Sequence, residues 1–77
     1  MAIRYVVRGR AADVRTWRVE RAIPLREVAE ATSIRSLRGL TIPRDVEVIT
    51  LPSWANVPAR VREAIEMDLR VAQHTSA

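Results

Sequence analysis

The sequence predicts a small single domain of the α+β class, with the element order β-β-α-(β)-β-α. Apolar residues recur at helical spacing over residues 57–73, and apolar and polar residues alternate over 2–8. Gly and Pro residues separate the segments. This order favours a three- or four-stranded, mostly antiparallel sheet with two helices on one face. Residues 1–73 should form the domain, and residues 74–77 a frayed C-terminal tail.

The N-terminal third is predicted to be a β-hairpin. Residues 2–8 alternate, with Ile3, Tyr5 and Val7 facing inward. Residues 9–13, marked by Gly9, supply a loop. Residues 14–23 alternate again and give the second strand, with Trp17, Val19 and Ile23 on one face.

A short helix is predicted next, over residues 24–32, because Pro24 suits a first helical turn and apolar residues then recur at helical spacing. Residues 33–42 leave two alternatives open. They continue as a helical turn stopped by Gly39, or Leu40–Ile42 forms a short strand followed by a turn at residues 43–45.

The C-terminal half is predicted to hold a strand at residues 46–51 and an amphipathic helix at 57–73. The strand has branched apolar residues on both faces, so it should be covered on both sides or paired in a dimer. Asp68 falls on the apolar face of the helix. It is therefore expected to pair with an arginine of the hairpin, to face water, or to serve as an interface carboxylate.

The composition bounds the class of protein. The 77 residues contain no Cys, so no disulfide supports the small core, and a homodimer is a natural source of further stability. All thirteen basic residues are Arg, and Phe is absent, which fits a GC-rich genome such as that of an actinobacterium or of its phages. Neither a membrane span nor a signal peptide is evident, so we expect a cytoplasmic protein.

The charge is uneven, and this is the strongest functional hint. Residues 1–26 carry a net charge of +5 and residues 27–77 a net charge of −1. In the predicted hairpin, Arg4, Arg8 and Arg18 share the outer face, and Arg10 and Arg15 flank the loop. The pattern predicts an adaptor or inhibitor that covers another protein through this basic face, with Trp17 or Trp54 as an anchor. The alternative is a nucleic-acid-binding regulator that uses the same arginines.

The segment Leu25–Arg38 resembles the start of the helix-turn-helix of MerR-type and excisionase-type winged helices. The likeness rests on Val28-Ala29, Thr32 and Ser33-Ile34, where that family usually has Gly-Val at the last pair. It ends there, because Leu37-Arg38 comes two residues earlier than in the family and Gly39 and Pro43 shorten the recognition helix. The resemblance implies that Arg35, Ser36 and Arg38 face the DNA groove.

Catalysis is not expected. The chain has no Cys nucleophile, its one His is His74 in the tail, and its two Gly residues form no phosphate-binding loop. No cofactor and no metal-ligand cluster is predicted.

Overall fold

The computed structural model describes residues 3–74, and side chains through Gln73. Three strands form one sheet: β1 (Tyr5–Arg8), β2 (Val28–Ala31) and β3 (Glu47–Thr50). Two α-helices, α1 (Ala11–Glu20) and α2 (Ala59–His74), and two 3-10 helices, η1 (Leu25–Glu27) and η2 (Pro52–Asn56), complete the regular structure. Residues 1–2 of the predicted domain and residues 75–77 of the predicted tail lie outside the described residues.

The sheet is parallel throughout, so the predicted mostly antiparallel sheet is wrong. The strand order is β2-β1-β3, and Val6 of β1 lies in register with Ala29 on one side and Val48 on the other. Each strand is joined to the next by a long connection that carries the chain back to the starting edge of the sheet. Parallel pairing requires such crossovers, whereas a hairpin turn would give antiparallel strands.

The predicted second strand at residues 14–23 is helix α1, and the hairpin therefore does not exist. Val14 and Trp17 lie three residues apart and are buried against the sheet. Val19, which the alternating pattern places beside Trp17, is 61% exposed. With only two buried positions, the apolar residues of this segment fit a strand period and a helix period almost equally well.

The predicted helix at residues 24–32 is also wrong. Its first turn is η1, and the chain then extends into β2, where Val28, Ala29 and Ala31 are all buried. A parallel strand covered on both faces loses the apolar–polar alternation of a half-exposed strand. The Ala and Glu residues of β2 are strong helix formers, so their intrinsic propensity favours a helix. Packing of this segment in the core overrides that propensity.

Residues 34–39 make successive turns that end at Gly39, whose φ of +78° suits glycine. The segment is not a regular helix, and the alternative of a strand at Leu40–Ile42 is wrong. Leu37 and Ile42 are nevertheless buried, so this connection contributes to the core. The predicted turn at residues 43–45 is confirmed by the Val46 N–H, which donates to the Pro43 carbonyl at 3.4 Å.

The two helices cover opposite faces of the sheet, which corrects the prediction that both lie on one face. Val7 packs with Val14 and Trp17 of α1, whereas the neighbouring Val6 packs with Ile65 of α2. The alternation of side chains along β1 thus divides the core into two clusters. The predicted strand at 46–51 and helix at 57–73 are confirmed as β3 and α2. Within residues 3–74, neither helix has the length and apolar character that crossing a membrane requires.

Candidate functional site: a basic groove at the carboxyl edge of the sheet

An open groove of about 690 Å³ lies where the three strands end. It is lined by residues 10–11 after β1, residues 32–35 and 38 after β2, and residues 56–58 and 61 after β3. We call it the carboxyl-edge groove. In parallel sheets the connections that follow the strands meet at one edge, and ligands commonly bind there.

Three arginines line the carboxyl-edge groove: Arg10, Arg35 and Arg38. Arg10 and Arg35 are exposed, and among the described residues neither side chain takes part in an ion pair. Arg38 has its Nε 4.0 Å from Asp68 Oδ2, a long contact, and 62% of its side chain remains exposed. The groove therefore holds two free guanidinium groups and one weakly paired one.

The turn between β1 and α1 positions Arg10. The backbone N–H of Arg10 donates to the Oγ of the buried Ser53 at 3.0 Å, which ties this turn to η2. Gly9 permits the approach, since a Cβ at Gly9 would lie 2.9 Å from that same Oγ. The backbone of Arg10 is thus held while its side chain stays in solvent.

A hydroxyl group holds the loop that carries Arg35. Ser36 Oγ accepts hydrogen bonds from the N–H groups of Thr32 and Ser33, at 3.2 and 3.3 Å, and donates to the Ser33 carbonyl at 2.8 Å. Ser36 was predicted to face nucleic acid, but its hydroxyl is occupied by this loop. Arg35 and Arg38, predicted with it to face a DNA groove from a recognition helix, lie instead on successive turns and line the carboxyl-edge groove of the protein. The helix-turn-helix that Leu25–Arg38 resembles is not formed, because residues 28–31 are strand β2.

The helices add positive potential at the same edge. Both α1 and α2 begin at the carboxyl edge, so their N-terminal N–H groups lie there, and Arg10 makes no side-chain capping bond to α1. Arg15, one turn into α1, is exposed and without an ion pair among the described residues. Asp13, the acidic residue of that first turn, lines a different cavity beside Trp17 and Pro52.

The predicted stripe of Arg4, Arg8 and Arg18 is not formed, because the hairpin that would carry it is absent. Arg4 lies 3.7 Å from Glu27 and Arg18 lies 3.9 Å from Glu30. Arg18 is on α1, on the face of the sheet opposite to α2.

Arg8 is held on the α2 face of the sheet. It pairs with Glu66 of α2 at 3.6 Å and donates to Thr50 Oγ1 of β3. Its guanidinium also lies over the ring of Trp54, 5.0 Å from the centroid. These contacts give Arg8 a structural place between β1, β3 and α2.

Both tryptophans proposed as anchors are buried. Trp17 meets Tyr5 edge to face at 5.7 Å and is covered by the Arg21 guanidinium at 4.6 Å. Trp54 is covered by Arg8. Each indole is therefore a core side chain whose outer face is covered by an arginine guanidinium. This is a favourable cation–π arrangement.

Asp68 is paired, but with Arg38 and not with an arginine of a hairpin. Its Oδ2 is buried and makes no hydrogen bond to the described residues. Asp68 therefore connects α2 to the loop that borders the groove, and Arg38 is shared between this contact and the groove.

The lining of the groove combines hydrogen-bonding and apolar side chains. Arg, Thr, Ser and Asn supply its polar groups, and no His, Cys, Asp or Glu is among the lining residues. Among the described residues, no cluster of three or more potential ligands could hold a metal ion. Thr32, Ser33 and Asn56 were not predicted as site residues, because only the fold brings them beside Arg10.

Comparison of the chain with protein-family models, with curated proteins and with solved structures gave no match. Any functional assignment therefore rests on the residues of this chain.

Proposed function

We propose that this chain is a non-enzymatic nucleic-acid-binding protein whose phosphate contacts are made at the carboxyl-edge groove. The observation that carries the proposal is the convergence of Arg10 and Arg35, both exposed and free of ion pairs among the described residues, on one cavity with Arg38. Guanidinium groups bind phosphate oxygens through charge-assisted, often bidentate hydrogen bonds.

The surroundings of these arginines support the proposal. Arg15 lies one turn into α1 and lines a neighbouring cavity that shares Ala11 with the groove and also contains Glu30. The N-termini of both α-helices face the same edge as the groove. Positive charge from several separate sources favours a ligand with several negative charges, and a phosphate backbone supplies them at regular spacing.

A basic surface also fits an acidic protein, so the two partners need to be weighed. Strong protein interfaces are commonly built around a buried aromatic or Arg anchor in a packed pocket. Trp17 and Trp54 are both in the core, and no aromatic side chain lines the groove. The groove is instead an open cavity with hydroxyl and amide groups between its arginines, which favours nucleic acid.

The test compares two double variants that lower the net charge equally. Arg10→Ala/Arg35→Ala removes the free arginines of the groove. Arg26→Ala/Arg44→Ala removes two exposed arginines at the opposite, amino edge of the sheet, before β2 and β3. Fluorescence anisotropy with mixed-sequence oligonucleotides is measured at about 50 and 200 mM salt.

We expect the groove variant to bind about tenfold more weakly at the lower salt and to show a shallower salt dependence, because two phosphate contacts are lost. The amino-edge variant should stay close to the parent. Equal weakening in both variants would mean that net charge alone acts. Failure of the parent to bind any oligonucleotide, together with binding to poly-glutamate, would overturn the proposal in favour of an acidic protein partner.

A further inference from the structure

The carboxyl-edge groove is not uniformly polar. Ile34, Val57 and Val61 line it together with the arginines. Val57 belongs to the core, whereas Ile34 is 39% exposed on the loop after β2. An apolar surface thus lies between the cationic groups. A ligand that contacted only the arginines, through its phosphates, would leave this surface exposed to water.

We infer that the carboxyl-edge groove binds an unstacked nucleotide of a single strand, with phosphate at Arg10 and Arg35 and the base against Ile34 and Val61. This inference rests on the proposed function. A duplex keeps its bases stacked and presents phosphates to a groove of this kind, whereas a single strand can turn a base outward. The volume of about 690 Å³ is within the usual range of ligand sites.

The polar groups of the groove suit the edge of a base. The side chains of Thr32, Ser33 and Asn56 make no hydrogen bond to the described residues. The two hydroxyl groups offer both donors and acceptors, and the Asn amide offers a donor NH2 group and an acceptor oxygen in one plane. Hydrogen bonding to bases is therefore available beside the apolar surface.

The groove is organised before a ligand enters. The three hydrogen bonds of Ser36 Oγ hold residues 32–36 in place, and Leu37 anchors the same loop in the core. Ile34 consequently stays exposed on a fixed loop instead of collapsing onto the core. Preformed geometry lowers the entropy lost on binding.

The test uses three probes on the folded full chain: a mixed-sequence single strand, its duplex, and inorganic polyphosphate. Ile34→Ala is compared with Leu25→Ala, which also removes an exposed branched side chain but lies in η1 at the opposite edge. Both positions are exposed, so both variants should keep the fold, and circular dichroism checks this.

We expect the parent to bind the single strand about fivefold more tightly than the duplex or polyphosphate. Ile34→Ala should weaken single-strand binding about threefold with an unchanged salt dependence, and Leu25→Ala should not. Equal binding of all three probes by the parent, or equal behaviour of the two variants, would overturn this inference and leave phosphate binding intact. Failure to bind all three probes would overturn the proposed function itself.

Discussion

The arginines of this protein divide into two groups by their contacts. Arg8 and Arg18 are partly buried and face acidic side chains, whereas Arg10 and Arg35 are exposed and unpaired among the described residues. With thirteen Arg and no Lys, residue type alone does not separate structural cations from binding cations. Burial and ion pairing do separate them.

Arg8→Ala should therefore lower the stability of the fold. The variant loses the contact with the Trp54 ring and the hydrogen bonds to Thr50, and we expect unfolding in urea to show a loss of about 1 kcal/mol. Arg15→Ala, at an exposed position on α1, is the matched control and should change stability by less than about 0.5 kcal/mol. Unchanged stability in Arg8→Ala would show that these contacts contribute nothing.

At the scale of elements, the prediction succeeded where the apolar pattern is long. Helix α2 repeats its apolar face over four turns, with Val61, Ile65, Leu69 and Ala72 packed on the core, and it was found close to its observed bounds. The segment that forms helix α1 is predicted to be a strand, and the segment that forms strand β2 is predicted to be a helix. α1 buries only Val14 and Trp17, and β2 has only four residues, three of which are buried, so neither segment shows a clear apolar period.

The packing of α2 gives a direct stability test. Ile65 is fully buried, and Ile65→Ala should lower the free energy of unfolding by about 2–5 kcal/mol through lost contacts and a residual cavity. Met67, two residues along the same helix, is 63% exposed, and Met67→Ala should cost less than about 0.5 kcal/mol. Chemical denaturation measures both. Similar losses in the two variants would place the buried face of α2 elsewhere.

At the scale of the whole molecule, the direction of the strands creates the site. Parallel strands place the residues that follow β1, β2 and β3 at one edge, which joins Arg10 to Arg35 and Arg38 across more than twenty residues of sequence. The sequence indicated each of these arginines, but in two separate candidate sets. That the two sets meet at one site could not be predicted. It requires parallel strands, and parallel strands require crossover connections. The four residues of β2 and the weakly amphipathic α1 give no clear pattern that would indicate such connections.

The homodimer and the cytoplasmic location stay predictions. The free edge of the sheet at β3 carries Val48, a half-exposed apolar residue. An unpaired edge of this kind can pair with another strand.

The most direct test of the central claim is a two-dimensional ¹H–¹⁵N NMR titration of the labelled protein with a mixed-sequence single-stranded oligonucleotide at about 50 mM salt. Binding at the carboxyl-edge groove predicts that the largest shifts cluster in residues 9–13, 32–38 and 55–61. Residues 24–27 and 43–46, at the amino edge, should hardly move. Shifts centred on the amino edge or on the outer face of α2 around Met67 and Val71 would contradict the account.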